Sequence, residues 1–484
     1  MAQRHGITAR EVKTSMSTPV TASSGITFAV GRSPVHTVPD GKVNEPILAY
    51  SYAEAVRFLG YSDDWENYTL CEAIYAHFQL YSTAPVVFVN VLDPDIFKTH
   101  QSAQTVNITD GQATLPYETI SATLAVKDST GTIDYAACTD YEVIYKDNAC
   151  VIEIVEGGDI PDTAASLKIE YDKLTPAAAD QDDIIGGYDV FTNKSGGLEL
   201  VNAVFPKFAL VPDIIIAPGF SHIAEVAAVM AAKAANINSI FKGKALIDVD
   251  TDATGTGADY YAAAPAWKTA QNITAKEQIL YFPDFVMLGD KKFHQSTHQA
   301  ALMGQVDTNN GGTPSESPSN KRLQINAAVT ANGTEVLLDK AQAEFLNNNG
   351  ISTALNFIGG FVSWGNKTAC YPANTDVKDY FIPVSRMFAW VSNSLILTYW
   401  GKIDSKLNRR FVDSVTDSIN IWLNGLVASG DLLGGRVEVL EAENSDVEIM
   451  SGKITLHVYL TPPSPAEEIE FLLEYDPSYL STLF

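Results

Sequence analysis

The end of the chain has strand periodicity but no short route back to the rest of the molecule. Residues 468–475 read EIEFLLEY, and their apolar face consists of Ile469, Phe471, Leu473 and Tyr475. This period of two is typical of a half-buried β-strand. The strand-like segment 454–460 precedes it, separated by TPPSPA, whose prolines favour extended geometry and prevent a tight hairpin. Because an unpaired strand needs a partner for its backbone groups, the sequence predicts pairing with another copy of the chain.

Composition and charge exclude several classes of protein. The net charge of -26 argues against a nucleic-acid groove or an anionic membrane surface as partner. No run of about 18 apolar residues occurs, so we expect no membrane insertion. The N-terminal MAQRHGITAREVK lacks the apolar core of an export signal. The four cysteines are scattered without a CxxC pair, which predicts free thiols in a reducing compartment.

The pattern along the chain predicts a multidomain protein of mixed α/β and α+β class. Residues 1–24 are expected to form an N-terminal arm with one short strand around Ile7 to Val12. Residues 25–92 and 186–380 alternate strands and helices, which predicts a core of βαβ layers in two parts. Residues 381–461 are expected to form a C-terminal αβ domain, and 462–484 an extended arm.

The segment 93–185 differs from the rest in both pattern and charge. Short alternating strands separated by turn clusters predict an all-β insertion, built as a sandwich. The segment holds 18 Asp and Glu against 5 Lys, a net charge of -13, which is half of the total for the chain. Such an acidic surface suits a solvent-exposed domain that must stay soluble at high local concentration.

The sequence predicts the positions of two helices in more detail. The strand Ala209–Ala217, a helix capped by Ser221, and a strand from Ala245 predict a parallel pair joined by a right-handed crossover. A long amphipathic helix is expected from about Asp404 to Ser429, ending near Gly430.

An acidic cluster after the strand ALI is the first candidate for chemistry. Asp248 and Asp250 form a DxD pair like that of a phosphatase, although Asp252 does not fit that motif. Asp248, Asp250, Asp252 and Asp259 also occupy positions 1, 3, 5 and 12 of a calcium loop, in which Ala253 replaces the required glycine. We therefore expect a solvated acidic loop, with cation binding or catalysis as alternatives.

The remaining chemical motifs are incomplete. His294 and His298 have the i,i+4 spacing of a zinc pair, but Gln295 stands where a metalloprotease needs its general base. Gly255 and Gly257 lack the third glycine of a dinucleotide loop, and neither a P-loop nor a GxSxG elbow occurs. No catalytic residue and no cofactor are predicted.

One basic cluster stands out in this acidic chain. It consists of Lys402, Lys406, Arg409 and Arg410, before and on the first turns of the long C-terminal helix. The helix dipole does not favour cations there. The cluster is either a solvated helix face or a docking site for an acidic partner surface.

Motifs in a fixed order along nearly the whole chain give a resemblance to the sheath proteins of contractile phage tails and related injection machines. The C-terminal motifs GDLLGGRVEVLEAEN and PPSPAEEIEFLLEY are especially similar to the family, whereas Asn366-Lys367 stands where an arginine is usual. The segments that carry the resemblance are HGITAREV, ITFAVGRSP, EPILAYSYAEAVRFLGY, YTLCEAIYAHFQLYSTAPVVFVNVL, ALVPDIIIAPGFS, ILYFPDF, GISTALNFIGGFVSWGNKT and the two named above.

The resemblance implies a structural function without active-site chemistry. Protomers would stack as hexameric rings around an inner tail tube, attach to baseplate and tail terminator proteins, and contract on triggering. Both terminal arms would link neighbouring protomers through strands, with the C-terminal domain and its basic cluster facing the tube and the insertion facing outward. The protein would be made in the bacterial cytoplasm and become part of a virion tail or a released phage-tail-like particle.

Two other hypotheses remain open at this point. A soluble βαβ enzyme could use Asp248 and Asp250 as a phosphatase pair. Alternatively, the chain could be a tube or baseplate protein of the same machine, although tube proteins are typically much shorter.

Overall fold

A computed structural model describes residues 20–483. Ile7 and Val12 of the predicted N-terminal strand lie outside the described residues. The strands, in chain order, are β1 (Thr27–Gly31), β2 (Ile47–Ala49), β3 (Val86–Asn90), β4 (Lys98–Thr109), β5 (Gln112–Pro116), β6 (Ala125–Lys127), β7 (Asp134–Tyr135), β8 (Tyr141–Lys146), β9 (Ala149–Ile154), β10 (Ser166–Leu174), β11 (Gly187–Asp189), β12 (Lys194–Gly196), β13 (Ile214–Ile216), β14 (Lys244–Asp248), β15 (Gln278–Phe282), β16 (Phe285–Leu288), β17 (Lys291–His294), β18 (Ala327–Val329), β19 (Ile351–Asn356), β20 (Phe361–Trp364), β21 (Gly434–Glu438) and β22 (His457–Thr461).

The helices are mostly short, and a π-helical turn, Ala76–Leu80, continues the second of them. They are α1 (Tyr52–Leu59), α2 (Thr69–Tyr75), α3 (Gln181–Ile185), α4 (Val201–Phe208), α5 (Ala224–Ala235), α6 (Ala264–Ala270), α7 (Gln295–Asn309), α8 (Lys340–Asn347), α9 (Val377–Tyr380), α10 (Ile382–Tyr399), α11 (Arg409–Ser429) and α12 (Asp446–Met450).

An eight-stranded sheet forms the centre of the protein, in the order β2-β3-β1-β13-β14-β15-β19-β20. The six inner strands are parallel, and the edge strands β2 and β20 are antiparallel to their neighbours. Alternate residues of β1 enter different cores: Phe28 and Val30 pack on one side of the sheet and Ala29 on the other. Burial on both faces explains why these strands are continuous apolar runs in the sequence.

The predicted βαβ unit is present, with one local difference. β13 and β14 pair in parallel, and α5 lies between them in the chain. Ser221 does not cap α5, which begins at Ala224 after Ile223 and has no side-chain cap. The hydroxyl of Ser221 lies 3.1 Å from a carboxylate oxygen of Asp248 instead. The expected cap was wrong because a buried acceptor on the next strand uses the hydroxyl.

The acidic segment folds into one strongly bent seven-stranded sheet, in the order β7-β6-β10-β4-β5-β9-β8. The twelve-residue β4 pairs first with β10 and then with β5, so it belongs to both halves of the sheet. Side chains of both halves, including Ala113 and Ile152 from one and Val126 and Ile169 from the other, enclose a common apolar core. The sandwich is therefore a single sheet folded over on itself.

The C-terminal part packs α10 and α11 against the two-stranded sheet β21-β22. Trp390, Ile419 and Leu423 lie at the centre of this small core. α11 begins at Arg409, later than the expected Asp404, because the side chain of Asn408 accepts a bond from the N–H of Phe411 and caps the helix there. The helix ends at Ser429 as predicted, with Gly430 in the left-handed conformation at φ 90°.

A buried ion cluster joins α10 to the central sheet. The guanidinium of Arg386, 3% exposed, donates to Asp307 of α7 at 3.0 Å and to Asp213 at 2.8 Å. Asp213 stands just before β13 and also accepts from the N–H of Ile26, 2.8 Å away. One side chain therefore holds three separate parts of the chain together.

Replacing Arg386 tests this junction. Arg386→Met should lower the free energy of unfolding by about 3–5 kcal/mol, because it leaves the buried Asp307 and the half-buried Asp213 without their cation. Chemical denaturation of the full chain, followed by tryptophan fluorescence, measures the change. The control is Arg409→Met, since Arg409 is exposed and, within residues 20–483, its one ion pair is with Asp413. Its effect should stay within about 0.5 kcal/mol, and equal effects of both substitutions would contradict the assignment.

Candidate functional site

The predicted acidic cluster is divided between the interior and the surface. Asp248 ends β14 and is only 1% exposed, whereas Asp250 is half-buried and Asp252 and Asp259 are exposed. The carboxylate of Asp248 accepts from the N–H of Ser296 at 2.7 Å and from its hydroxyl at 2.5 Å. Burial raises the pKa of Asp248 to about 6. The expectation of a solvated loop was wrong for Asp248.

Further charged groups are buried at the same carboxyl edge of the parallel strands. Glu72, 1% exposed, lies 3.0 Å from Nδ1 of His294 and accepts from the hydroxyl of Thr297 at 2.6 Å. Asp284 accepts from the hydroxyl of Thr251 at 2.5 Å, and burial raises its pKa to about 7. Burial lowers the pKa of His294, but the negative charges of Glu72, Asp248 and Asp284 outweigh the effect of burial. The net shift of the His294 pKa is therefore upward.

The two histidines of the predicted zinc pair have different environments. Nδ1 of His298 lies 3.1 Å from the hydroxyl of Tyr81, and its ring packs edge-on against Phe293. Burial lowers the pKa of His298 to about 3. Across residues 20–483, no group of three or more His, Cys, Asp or Glu side chains is placed to hold a metal ion.

This edge of the sheet is occupied by the protein's own side chains. The carboxylate of Asp248, which would be the phosphatase nucleophile, is enclosed by Ser221 and Ser296 and is not open to a phosphate ester. A Cβ on Gly257 would lie 2.5 Å from the carbonyl oxygen of Asp252, so close packing of the loop explains this glycine without a ligand. The enzyme hypothesis is therefore not favoured.

The sheet β21-β22 has one apolar face and one polar face. Val437 opposes Val458, and Gly435 opposes Leu460, on the face that packs towards α10 and α11. Next to β22 lies a groove of about 360 Å³. Val458 and Leu460 of the strand and Phe388 and Leu395 of α10 line its apolar side, and its other side carries charged residues, namely Lys242, Lys244, Lys276, Glu277, Lys378 and Asp379. We call it the hairpin groove.

The terminal segment, residues 468–475, has no strand partner within residues 20–483. Its apolar side chains are strongly exposed, from 71% for Ile469 to 96% for Leu473. Residues 462–467, which we call the root of the segment, lie against the protein. Within the root, Pro462 is buried and Glu467 forms an ion pair with Lys367 at 3.7 Å. A groove of about 830 Å³ lies between this root, α8 and the end of β20. The root is thus directed along the central sheet and away from β22.

The predicted basic cluster lies on the turn between α10 and α11, which we call the basic turn. Lys402 ends the 3-10 turn that follows α10, Lys406 lies in the connection, and Arg409 and Arg410 begin α11. All four are exposed. Arg409 lies 3.7 Å from Asp413, one helical turn further along. The remaining three make no ion pair with any described residue, so their charge is available to a partner.

Sequence reasoning did not identify Glu72, Arg386 or the Lys367–Glu467 pair. A lone arginine inside the apolar helix IPVSRMFAWVS is a signal of a buried ion cluster, and it could have pointed to Arg386. Glu72 lies in a similarly apolar stretch, LCEAIY. Nothing in the local sequence marks Lys367 or Glu467 as partners, because 100 residues separate them.

The buried carboxyl of Asp248 predicts a pH effect on stability. Its pKa rises from 3.8 to about 6 on folding, so between these values the folded state keeps a proton that the unfolded chain has released. Stability should therefore fall as the pH rises from about 4 to about 6. Asp248→Asn should abolish this contribution. Relative to the unsubstituted chain, its free energy of unfolding should be about 3 kcal/mol higher at pH 8 but not near pH 4.

Denaturation curves at several pH values measure that difference. Asp259→Asn, which removes an exposed carboxylate of the same predicted cluster, is the matched control. Parallel profiles for Asp248→Asn and the unsubstituted chain would contradict the buried, proton-binding environment of Asp248.

Comparison with known proteins identifies relatives over the whole chain. No family model matches. The tail sheath protein of Burkholderia phage BcepMu is 26% identical over 489 residues, which cover 99% of this chain and 98% of its own length. None of the helices within residues 20–483 is long and apolar enough to cross a membrane.

Solved structures share the mixed α/β, multidomain fold. The sheath complex of PVC, an extracellular contractile injection system in its contracted state, matches with a TM-score of 0.58 and 14% identity over 99% of both chains. A chain of the anti-feeding prophage baseplate, 6-fold symmetrised, matches with a TM-score of 0.57 and 15% identity, covering 98% of this chain and 100% of its own. The chain is thus similar in sequence to a phage tail sheath protein and similar in fold to solved chains of contractile injection systems.

Proposed function

We propose that this protein forms the contractile sheath around an inner tail tube. The observation that carries the proposal is the similarity to a phage tail sheath protein over almost the full length of both chains. The described residues also fit a structural role, because the buried polar clusters are occupied by one another and not open to a substrate. The relatives are structural proteins, and the proposed role needs no cofactor and no catalysis.

The proposed assembly is a stack of six-membered rings. Six-fold symmetry in the similar baseplate structure supports the ring size and an attachment to baseplate proteins. Contacts between unlike surfaces that do not close generate a helical lattice. The partners are other copies of the chain, the inner tube protein, and baseplate and tail terminator proteins. After synthesis in the bacterial cytoplasm, the lattice becomes part of a virion tail or a released particle.

Contraction would be a change between two packings of the same protomers. Rigid bodies that turn against one another around flexible connections can supply mechanical work without a nucleotide. The similar sheath complex was determined in a contracted state, which supports this behaviour. The work would drive the tube through the target envelope, while the acidic insertion faces outward.

We place the link between protomers at the terminal segment. Its four apolar side chains on one face are exposed in a single chain, and its backbone groups have no strand partner there. Exposed unpaired strands of this kind add to the edge of another sheet. The N-terminal segment around Ile7 and Val12 is proposed as a second linking strand.

The landing site that fits the terminal segment is β22 of another copy. The apolar face of the segment would enter the hairpin groove beside Val458 and Leu460, and cover Phe388 and Leu395. The segment of the same chain is unsuited to this site. Its prolines prevent a tight return, and the ion pair of Glu467 with Lys367 directs its root elsewhere.

Substitutions on opposite faces of the terminal segment test the link. Phe471→Asp with Leu473→Asp should abolish polymerisation, because the variant loses the apolar side chains that would cover Val458, Leu460, Phe388 and Leu395. Glu470→Gln with Glu474→Gln, on the other face, is the matched control and should polymerise. Negative-stain microscopy and sedimentation measure the outcome.

Deletion of residues 466–484 extends the same test. The truncated chain should remain folded and soluble but form no tubes. Hollow tubes from the truncation, or from the double aspartate variant, would contradict strand exchange through this segment. A small particle of uniform size from the full chain under all conditions would contradict the sheath itself.

The basic turn is proposed to face the tube. Lys402→Glu with Lys406→Glu should weaken co-assembly with the tube protein, because like charges replace an attraction, and leave polymers of the sheath alone intact. Pelleting of both proteins together at two salt concentrations measures the change. Arg57→Glu, at an exposed arginine of α1, is the control. Unchanged co-pelleting of the double variant would remove the basic turn from the interface.

A further inference from the structure

The two outer edges of the sheet β21-β22 are not equivalent. On β21, the side-chain amide of Asn420 binds both outward-facing backbone groups of Val437. Its oxygen accepts from the Val437 N–H at 2.9 Å, and its nitrogen donates to the Val437 carbonyl at 3.3 Å. The amide thus occupies the two positions of Val437 through which a neighbouring strand would bind.

The edge of β22 has no such cover. Val458 lies directly opposite Val437, so its backbone N–H and carbonyl point outward on the other side of the sheet. The same holds for Leu460, opposite Gly435. Neither residue has a backbone partner among the described residues on that side, and the hairpin groove runs beside them. This edge therefore combines uncovered backbone groups with a groove that has an apolar side.

Asn420 is held in place by the helix that carries it. Its neighbours in α11, Ile419 and Leu423, are buried in the small C-terminal core. A Cβ on Gly435 would meet the side chain of Leu423 at 3.3 Å, so α11 lies closely along β21. An incoming strand would have to break both bonds of the Asn420 amide.

We propose that the sheet accepts the terminal segment of another copy at the β22 edge only, and that Asn420 closes the β21 edge against it. This inference rests on the proposed strand exchange between protomers, and it specifies which edge of the sheet accepts the exchanged strand. A sheet with two open edges could bind two segments and branch, whereas a sheet with one open edge grows in a single direction. Asn420 is therefore a residue that determines the specificity of assembly.

Cross-linking in polymers of the full chain tests the proposal. Exposed Cys138 is first replaced by Ser. Leu472→Cys places a thiol on the outward face of the terminal segment. It is combined either with Tyr459→Cys on β22 or with Arg436→Cys on β21. Further variants place the second cysteine two residues before or after these positions, to allow for other registers of the added strand.

The geometry separates the two edges clearly. A strand added to β22 lies about 5 Å from that strand and about 10 Å from β21. A disulfide needs its Cβ atoms about 3.5–4.5 Å apart. Interchain disulfides should therefore form with the β22 cysteines and remain at background with the β21 cysteines.

Opening the closed edge gives the second arm of the experiment. Asn420→Ala frees both backbone groups of Val437, so cross-linking to the β21 cysteines should rise from background towards the level of β22. Asn424→Ala, one turn further along the exposed side of α11, is the matched control and should not change it. Asn420→Asp keeps only the bond from the Val437 N–H and should give an intermediate level, which provides a second test if the alanine variant unfolds.

The outcomes distinguish this inference from the proposed function. Disulfides at both edges of the parent chain would overturn one-sided binding and leave strand exchange intact. An alanine variant that behaves like the Asn424 control would overturn the role of Asn420. Polymers that cross-link at neither edge would overturn the landing site at this sheet as well.

Discussion

The buried guanidinium of Arg386 is the interaction on which the arrangement of the molecule depends. It neutralises the buried Asp307 on α7, where an unpaired carboxylate is costly, and the half-buried Asp213 before β13. The same helix binds the N-terminal segment, since the indole N–H of Trp390 donates to the carbonyl of Ala22 at 2.7 Å. α10 therefore has one fixed position relative to the central sheet.

The fixed position of α10 also determines the surfaces proposed for assembly. The hairpin groove lies between α10, β22 and the segment around Lys244, so the position of α10 determines the shape of the groove. The terminal segment, by contrast, is attached through prolines and one ion pair, and its apolar side chains have no cover in a single chain. A rigid acceptor and a tethered donor would allow the protomers of a lattice to turn against one another while the strands between them stay paired.

The carboxyl edge of the parallel sheet is where open α/β proteins usually bind ligands. Here that edge contains Asp248, Asp284, Glu72 and His294, residue types that also occur in active sites. Hydroxyl groups of Ser221, Ser296, Thr251 and Thr297 bind the three carboxylates, which are all buried. The residues whose sequence pattern most resembled an active site therefore belong to a buried polar network. This network joins α2, α7, β14 and the loop after β15.

The sequence by itself determined the features that depend on local periodicity and backbone preference. These include the buried strand at Thr27–Gly31, the helix end at Gly430, the alternation of the terminal segment and its proline tether, and the ordered motifs of the sheath proteins. Only the tertiary structure decided that Asp248 is buried, that Ser221 binds it in preference to capping a helix, and that Asn420 covers one strand edge. The physical reason is that each of these depends on a partner from a distant or separate element, and local patterns carry no information about which buried donor or acceptor a polar side chain will meet.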